Sequence, residues 1–285
     1  MSNSYPSQAQ SSAPQPDPTA VLQWDEVIKR FGNKDAVDRM SLSIPRGSFY
    51  GLVGPNGAGK TTAILIATGL LEPTYGNCWI AGNSMWFNTT PEEVNRGKMS
   101  YGLLADGIAT FDRLTAPEYL EYLGYLRGMD AATIAQRSEE ILNALDLQDT
   151  GKKIIADFSA GMTKKILLAG ALLHSPELLI LDEPFEAVDP VSADVIKQIL
   201  RQYVAAGGTV ILSSHVMELV EGLCTHVAIM NNGTVHVSGT LDEVRDGKSL
   251  NERFVEHVGA RHLTQGSLGW LRGSQHPNNG EDTDL

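Results

Sequence analysis

A glycine-rich segment at residues 50–62 places the tightest limit on the fold of this chain. It contains a glycine, four further residues and then Gly-Lys-Thr, a pattern that runs from Gly54 to Thr61. Apolar residues precede it at 48–53, and residues of helical pattern follow it. Glycines permit positive φ and close approach of backbone N–H groups to an anion, so the pattern predicts a phosphate-binding loop between a strand and a helix. In this loop Lys60 would reach the terminal phosphates and the Thr61 hydroxyl would bind Mg²⁺.

The carboxylates that such a loop needs follow a run of apolar residues further along the chain. Residues 178–181 read Leu-Leu-Ile-Leu and are followed by Asp182, Glu183 and Pro184. Such a run is typical of a strand buried in a parallel sheet, and open α/β sheets bind ligands at the carboxyl ends of these strands. A strand that merely ends in an acidic turn is the plainer alternative. Because the phosphate loop lies upstream, we favour Asp182 as a magnesium ligand and Glu183 as the general base for an attacking water.

A second candidate anion site lies shortly before that strand. Residues 158–162 read Phe-Ser-Ala-Gly-Met and open a predicted helix over residues 163–173. Ser159 is a natural helix cap, and a small residue such as Gly161 allows an anion to approach the helix N-terminus. Alone, the pentapeptide would indicate only a cap, so this hypothesis depends on its position before the Asp182 strand.

The remaining pattern predicts an α/β fold with an interruption. Apolar and polar residues alternate over residues 21–44, which predicts antiparallel strands joined by a turn at residues 32–35. Residues 91–150 have a largely helical pattern, after which strands and helices alternate again, with a further buried strand at residues 209–212. The chain therefore reads as a parallel α/β core with an antiparallel β subdomain and a helical insertion over about residues 89–163.

The two ends of the chain differ from this core. Residues 1–20 are rich in Ser, Gln and Pro and contain no Lys or Arg, so we expect a disordered tail and not a signal peptide. The main domain is expected over residues 21–246. Residues 247–285 are expected to form a C-terminal helix and a flexible tail that is acidic at its end.

Composition argues against several classes of protein. The chain has 285 residues, 22 basic and 34 acidic, and its formal charge of −12 disfavours sequence-independent binding of nucleic acid. The two cysteines, Cys78 and Cys224, lack the spacing of a zinc site and favour a reducing compartment. No apolar run approaches the roughly 18 residues that span a bilayer. We therefore expect a soluble, cytoplasmic protein that reaches a membrane only through a partner.

Taken in order, these motifs make the chain similar to the nucleotide-binding subunits of ATP-binding cassette (ABC) transporters over about residues 21–244. The matching segments are the Walker A loop at 54–61, the signature at 158–162, the Walker B strand at 180–183, the D-loop at 187–190 and the switch histidine at His215. The resemblance implies a P-loop NTPase (RecA-like) core that uses ATP and Mg²⁺. It also implies that Glu183 and His215 are catalytic.

The resemblance extends to individual binding positions. It implies that Phe31 stacks on adenine and that Ser159, Gly161 and Asp189 contribute from the signature and the D-loop. The implied phosphate-loop contacts are Gly54, Asn56, Gly57, Ala58, Gly59, Lys60, Thr61 and Thr62. The implied metal ligands are Thr61, Asp182 and Asp106.

The family's architecture also implies partners. Its Walker A loop and its signature cannot face one nucleotide within a single subunit, so two subunits pair head to tail, as a homodimer or as a heterodimer with a similar ATPase. Integral membrane permease subunits form the transport path, and no nucleic acid is involved. The resemblance thus predicts an ATPase held at the cytoplasmic face of the membrane through the permease, powering transport of an unidentified substrate.

Two departures from the family pattern bear on the site. The signature has Ala160 and Met162 where Gly and Gln are usual, but it keeps Ser159 and Gly161, so we expect it to be competent. Asp106 occupies the position of a glutamine that normally meets magnesium and the permease. An aspartate can bind Mg²⁺ through oxygen, but it adds negative charge near the phosphates.

Two other functions are alternatives to transport. A cassette ATPase that acts on ribosomes or DNA generally carries two cassettes or long coiled-coil insertions, which this chain lacks. A module that binds ATP without turnover is disfavoured because Lys60, Asp182, Glu183 and His215 are all retained.

Overall fold

The computed structural model describes residues 15–105 and 111–259. The strands are β1 (Ala20–Phe31), β2 (Lys34–Pro45), β3 (Phe49–Val53), β4 (Tyr75–Ile80), β5 (Asn83–Ser84), β6 (Tyr101–Leu104), β7 (Leu178–Asp182), β8 (Thr209–Ser214), β9 (His226–Asn231) and β10 (Thr234–Thr240). The α-helices are α1 (Lys60–Ala67), α2 (Pro91–Met99), α3 (Ala116–Leu126), α4 (Ala131–Ala144), α5 (Ala160–Leu172), α6 (Pro190–Ala205), α7 (Met217–Leu223), α8 (Leu241–Arg245) and α9 (Leu250–Val258).

The core is a sheet with the strand order β10-β9-β3-β8-β7-β6. Its strands β9, β3, β8, β7 and β6 run parallel, and β10 is antiparallel to β9 at one edge. Every residue of β3, β7 and β8 is buried, as their short apolar runs predict. The phosphate loop follows β3, and the carboxylates Asp182 and Glu183 stand at the end of β7. Parallel strands therefore bring these groups to the same edge of the sheet.

The prediction of a largely helical segment at 91–150 is wrong for four residues. Tyr101–Leu104 form β6, which pairs with β7 at the edge of the core sheet. Gly102 lets α5 lie close to this strand, because a Cβ at Gly102 would meet the carbonyl oxygen of Ala171 at 2.0 Å. The chain thus returns to the core sheet once before it enters the helices that follow.

A second sheet, with the order β2-β1-β4-β5, carries the predicted antiparallel strands. The turn between β1 and β2 falls within the predicted residues 32–35. Trp24 of β1 is buried, and its indole Nε1 donates a hydrogen bond to the carbonyl of Ala63 in α1 at 3.0 Å. The second sheet is thereby fixed against the helix that follows the phosphate loop.

The helices α3, α4 and α5 pack on one another through buried apolar side chains. Thr115 and Glu118 form a capping box at the start of α3. Gly124 of α3 allows close packing on Ile134 of α4, since a Cβ there would meet the Ile134 side chain at 2.5 Å. Over residues 15–105 and 111–259, no helix has both the length and the apolar character that crossing a bilayer requires.

Candidate functional site

A cavity of about 570 Å³ opens at the carboxyl edge of the core sheet. This volume is in the range of small-molecule sites. Its walls come from the phosphate loop, the end of β7, the residue after β8 and the β1–β2 hairpin. The lining residues are Phe31, Lys34, Ala36, Asn56, Gly57, Ala58, Gly59, Lys60, Thr61, Thr62, Asp182, Glu183, Glu186 and His215.

The phosphate loop has a backbone that requires its glycines. Gly57 and Gly59 adopt φ of +81° and +105°, where other residues are strained. A Cβ at Gly54 would lie 2.3 Å from the carbonyl oxygen of Met230, and one at Gly59 would lie 2.3 Å from that of Ala36. The loop therefore turns tightly into the N-terminus of α1. This is a cradle that suits the phosphates of a nucleotide.

Lys60 supplies the positive charge of this cradle. The residue is 6% exposed, and its Nζ donates hydrogen bonds to the carbonyls of Gly54 at 2.7 Å and Pro55 at 3.3 Å. Burial lowers the pKa of Lys60, while the negative charges of Glu183 and Asp182 act in the opposite direction. The Lys60 Nζ lies 4.0 Å from Oε1 of Glu183, beyond hydrogen-bond distance. A buried ammonium in this position suits a bound polyanion.

Asp182 is the centre of a small hydrogen-bond network. Its carboxylate is 1% exposed and accepts hydrogen bonds from Thr61 Oγ1 at 2.8 Å, through Oδ2, and from the Ser213 hydroxyl, through Oδ1. The same Ser213 oxygen accepts the backbone N–H of Glu183 at 3.0 Å. A hydroxyl and a carboxylate are the oxygen donors that Mg²⁺ prefers, so Thr61 and Asp182 fit such an ion.

Glu183 follows β7 with an unusual backbone. Its φ is +47°, in the left-handed region that non-glycine residues rarely adopt. Its Oε1 lies 3.0 Å from Nδ1 of the half-exposed His215, and Nζ of Lys164 donates to its backbone carbonyl at 3.4 Å. The conformation turns a partly buried carboxylate into the cavity beside the phosphate cradle. A carboxylate in that place can accept a proton from a water molecule.

The signature and D-loop residues lie apart from the cavity lining. Ser159 caps α5, where its Oγ accepts the Met162 N–H at 3.3 Å. A Cβ at Gly161 would lie 3.2 Å from the carbonyl oxygen of Ala187. Asp189 caps α6 by accepting the Ser192 N–H at 2.9 Å.

Hydrogen bonds from Ser192 lower the pKa of the Asp189 carboxyl, and the bond from the Ser192 side chain has a larger effect than the one from its backbone. Ser159, Gly161 and Asp189 are absent from the lining that residues 15–105 and 111–259 give the cavity. Asp106, the predicted third metal ligand, lies outside the described residues.

The structure adds residues to the site that the sequence reasoning missed. Lys34, Ala36 and Glu186 line the cavity, and Ser213 joins Asp182 to the backbone of Glu183. Lys34 could have been inferred from the hairpin, since it pairs directly with Phe31 across the turn. No sequence signal indicated the bridging role of Ser213.

Known proteins resemble this chain in sequence and in fold. A family profile described as "ABC transporter" matches residues 37–186. The linearmycin resistance ATP-binding protein LnrL of Bacillus subtilis is 36% identical over 77% of this chain and 69% of its own length. The Nod factor export ATP-binding protein I of Cupriavidus metallidurans is 32% identical over 81% of this chain and 74% of its own. A solved structure of an ATP-binding subunit of an ABC transporter superposes with a TM-score of 0.77 at 28% identity, covering 83% of this chain and 98% of that one.

Proposed function

The chain belongs to the ABC transporter family, and from this premise we propose which of its residues carry out ATP hydrolysis and with what partners. As an ATP-binding subunit of that family it is an ATPase that powers transport through a separate permease. The observation that carries the residue-level proposal is the convergence of Lys60, Thr61, Asp182, Glu183 and His215 on one cavity.

In the proposed reaction, each of these residues has a distinct role. Lys60 binds the terminal phosphates of ATP, and Phe31 provides an aromatic surface for adenine. Mg²⁺ held by Thr61 and Asp182 would neutralise charge on the β- and γ-phosphates. The remaining cavity-lining positions of the phosphate loop, Asn56 to Gly59 and Thr62, surround the phosphates.

Glu183 then activates the attacking water. Its carboxylate is held through Oε1 by Nδ1 of His215 at 3.0 Å, which leaves Oε2 to accept the water's proton. Asp182 and Ser213 fix the backbone at the point where the chain leaves β7, because Ser213 binds both the Asp182 carboxylate and the Glu183 N–H. His215 also contacts the γ-phosphate region, so cleavage of the phosphate changes its surroundings.

The second half of the proposed site comes from another subunit. Relatives in this family work with permease partners and form dimers. Ser159, Gly161 and Asp189 lie outside the cavity lining of their own chain, which supports their placement against the nucleotide of a paired subunit. The pair is formed either by two copies of this chain or by this chain with a similar ATPase subunit. Attachment to a permease would hold the protein at the cytoplasmic face of the membrane.

The direction of transport is proposed from the relatives. The two described above are named for resistance to linearmycin and for export of Nod factor. We therefore propose that this subunit powers export of a small molecule. Asp106 remains a proposed third ligand of the metal.

Mixed dimers test the proposed division of the site. Lys60→Ala disables the phosphate loop, and Ser159→Arg disables the signature without touching the cavity. Each variant alone should be inactive. Mixed together, they form dimers in which one site carries both defects and the other is intact, so ATPase activity should return. No recovery on mixing, with both variants folded and paired, would contradict the head-to-tail arrangement.

The transport role is tested by affinity purification from detergent-solubilised membranes. A multi-helix permease that co-purifies with the chain supports the proposal. Ribosomal proteins or DNA-repair factors without a membrane protein would redirect the ATPase to the alternative class of soluble cassettes.

A further inference from the structure

The turn between β9 and β10 is hydrogen-bonded to the phosphate loop. Asn232 and Gly233 form this two-residue turn, with φ of +49° and +83°, and Asn231 pairs with Thr234 to close it. Positive φ at both central residues is the type I′ geometry for which Asn-Gly is the preferred sequence. Neither residue is among those that line the cavity in the described part of the chain.

Gly233 links the two walls of the cavity through its own backbone. Its N–H donates to the carbonyl of Ala58 at 2.9 Å, and its carbonyl accepts the N–H of Asp38 at 2.9 Å. Ala58 belongs to the phosphate loop, and Asp38 lies two residues beyond Ala36 in β2. Ala36 and Ala58 both line the cavity. Gly233, which does not line it, therefore holds the phosphate loop and the β1–β2 hairpin together.

These contacts leave little space for a side chain. A Cβ at Gly233 would lie 3.1 Å from the carbonyl oxygen of Ala36 and 3.2 Å from the backbone nitrogen of Asp38. The Ala36 carbonyl is itself packed on the phosphate loop, since a Cβ at Gly59 would lie 2.3 Å from it. A displacement of β2 at this point is therefore transmitted to the N-terminus of α1.

We propose that Gly233 is a positioning residue for the nucleotide, holding the phosphate loop and the β1–β2 hairpin at the separation that ATP requires. It acts through Ala58 and Asp38 and not by contact with ATP. This inference rests on the proposed ATP site and adds a residue to its specification. Substitution of Gly233 is therefore expected to change the affinity for nucleotide without a matching change in the rate of the chemical step.

The experiment compares Gly233→Ala with Gly82→Ala in the full chain. Gly82 is a matched control because it also closes a two-residue turn, at φ +78° after Ala81 at φ +49°, between β4 and β5. A Cβ at Gly82 has no neighbour within 4 Å. Both substitutions impose similar backbone strain, but only the one at residue 233 presses on the walls of the cavity.

The measurements are the Kd of ATP in the presence of a chelator, and KM and kcat with magnesium. Gly233→Ala should raise the Kd and KM about tenfold, and leave kcat at saturating ATP within about twofold, because it misplaces binding groups by tenths of an ångström. Gly82→Ala should leave the affinity unchanged. Equal affinities in the two variants, or a loss confined to kcat, would overturn the proposal.

Amide hydrogen exchange of the wild-type protein decides the matter if Gly233→Ala fails to fold. ATP should slow exchange at the amides of Gly233 and Asp38, which do not touch it, and leave the Gly82 amide unaffected. Protection limited to the phosphate loop would overturn the positioning role. A wild-type chain that binds no ATP would instead refute the nucleotide site on which the inference rests.

Discussion

Nδ1 of His215 lies 3.0 Å from Oε1 of Glu183, across the gap between the ends of β8 and β7. This contact joins the residue proposed to meet the γ-phosphate with the residue proposed to activate water. The positive φ of Glu183 turns its side chain toward His215 and not along the strand. The state of the phosphate and the position of the base are therefore linked through a single hydrogen bond.

Glu183→Gln should permit ATP binding while reducing turnover by about 10²–10³-fold, because the amide cannot accept a proton as a carboxylate does. Steady-state ATPase assays and equilibrium binding of ATP separate the two effects. Glu177→Gln is the matched control at the other end of β7, where the carboxylate accepts a hydrogen bond from Arg46 at the surface. Normal turnover in the Glu183 variant would remove its assignment as base.

Ser213→Ala should both destabilise the protein and slow turnover. The substitution leaves the buried Asp182 carboxylate without one donor and the Glu183 N–H without its acceptor. We expect a loss of about 1–3 kcal/mol in the free energy of unfolding, measured by urea denaturation, with a fall in kcat that exceeds any rise in KM. Ser214→Ala is the control, since its buried Oγ accepts the Val216 N–H and not that of Glu183. Equal kinetic effects from both serines would contradict the bridging role.

Thr61→Val should raise the magnesium concentration needed for half-maximal ATPase activity, because it removes the hydroxyl that lies against Asp182. Thr61→Ser restores an oxygen at the same place and should return the requirement close to that of the wild type. A magnesium titration of ATPase rate measures this. A chelator should stop hydrolysis in all three proteins. If Thr61→Val and Thr61→Ser showed the same dependence of ATPase rate on magnesium concentration, Thr61 would be excluded as a ligand.

We expect the folded protein to lose stability in mild acid because His174 is buried in its neutral form. Burial, reinforced by the charge of Arg127, lowers the pKa of His174 from 6.5 to about 4, and its Nε2 lies 3.1 Å from the Tyr101 carbonyl. Between these two pKa values the unfolded chain binds a proton that the folded chain does not, so stability falls as the pH drops from about 6.5 toward 4.

His174→Gln removes this titration and keeps an amide donor. After allowance for partial exposure, we expect it to recover about 1 kcal/mol of the stability lost between pH 7 and pH 5. Thermal unfolding across that range measures the effect, with His226→Gln as the control. Parallel pH profiles for wild type and His174→Gln would show that the acid sensitivity has another origin.

The sequence was sufficient for those parts of the site that lie on long, regular patterns. The phosphate loop and Asp182 with Glu183 follow buried strands, and the structure brings all of them, together with His215, to one cavity. The cap at Ser159 was also predicted correctly. In each case the residue type suits the local conformation of the backbone.

The parts that were missed depend on distant contacts. β6 is four residues long, and an apolar run of that length cannot be assigned to a strand or a helix by periodicity alone. Its identity follows from pairing with β7, more than seventy residues away in the chain. The role of Ser213 likewise arises because β8 and β7 are neighbours in the sheet. Glu186 enters the cavity only because of the turn that follows Glu183.

Ser159 caps α5 and lies outside the cavity that Lys60 lines, and this separation matters for a cell that makes a defective copy. In the proposed pair, a folded but inactive chain takes a place that an active chain would have filled. With equal amounts of both chains pairing at random, only about a quarter of the pairs would hold two active copies. About half of the pairs would be mixed, and each of these would keep one intact site, made by Lys60 of the active chain and Ser159 of the inactive one. The Glu183→Gln chain therefore still lends its signature to an active chain, and about half of all sites are expected to keep working.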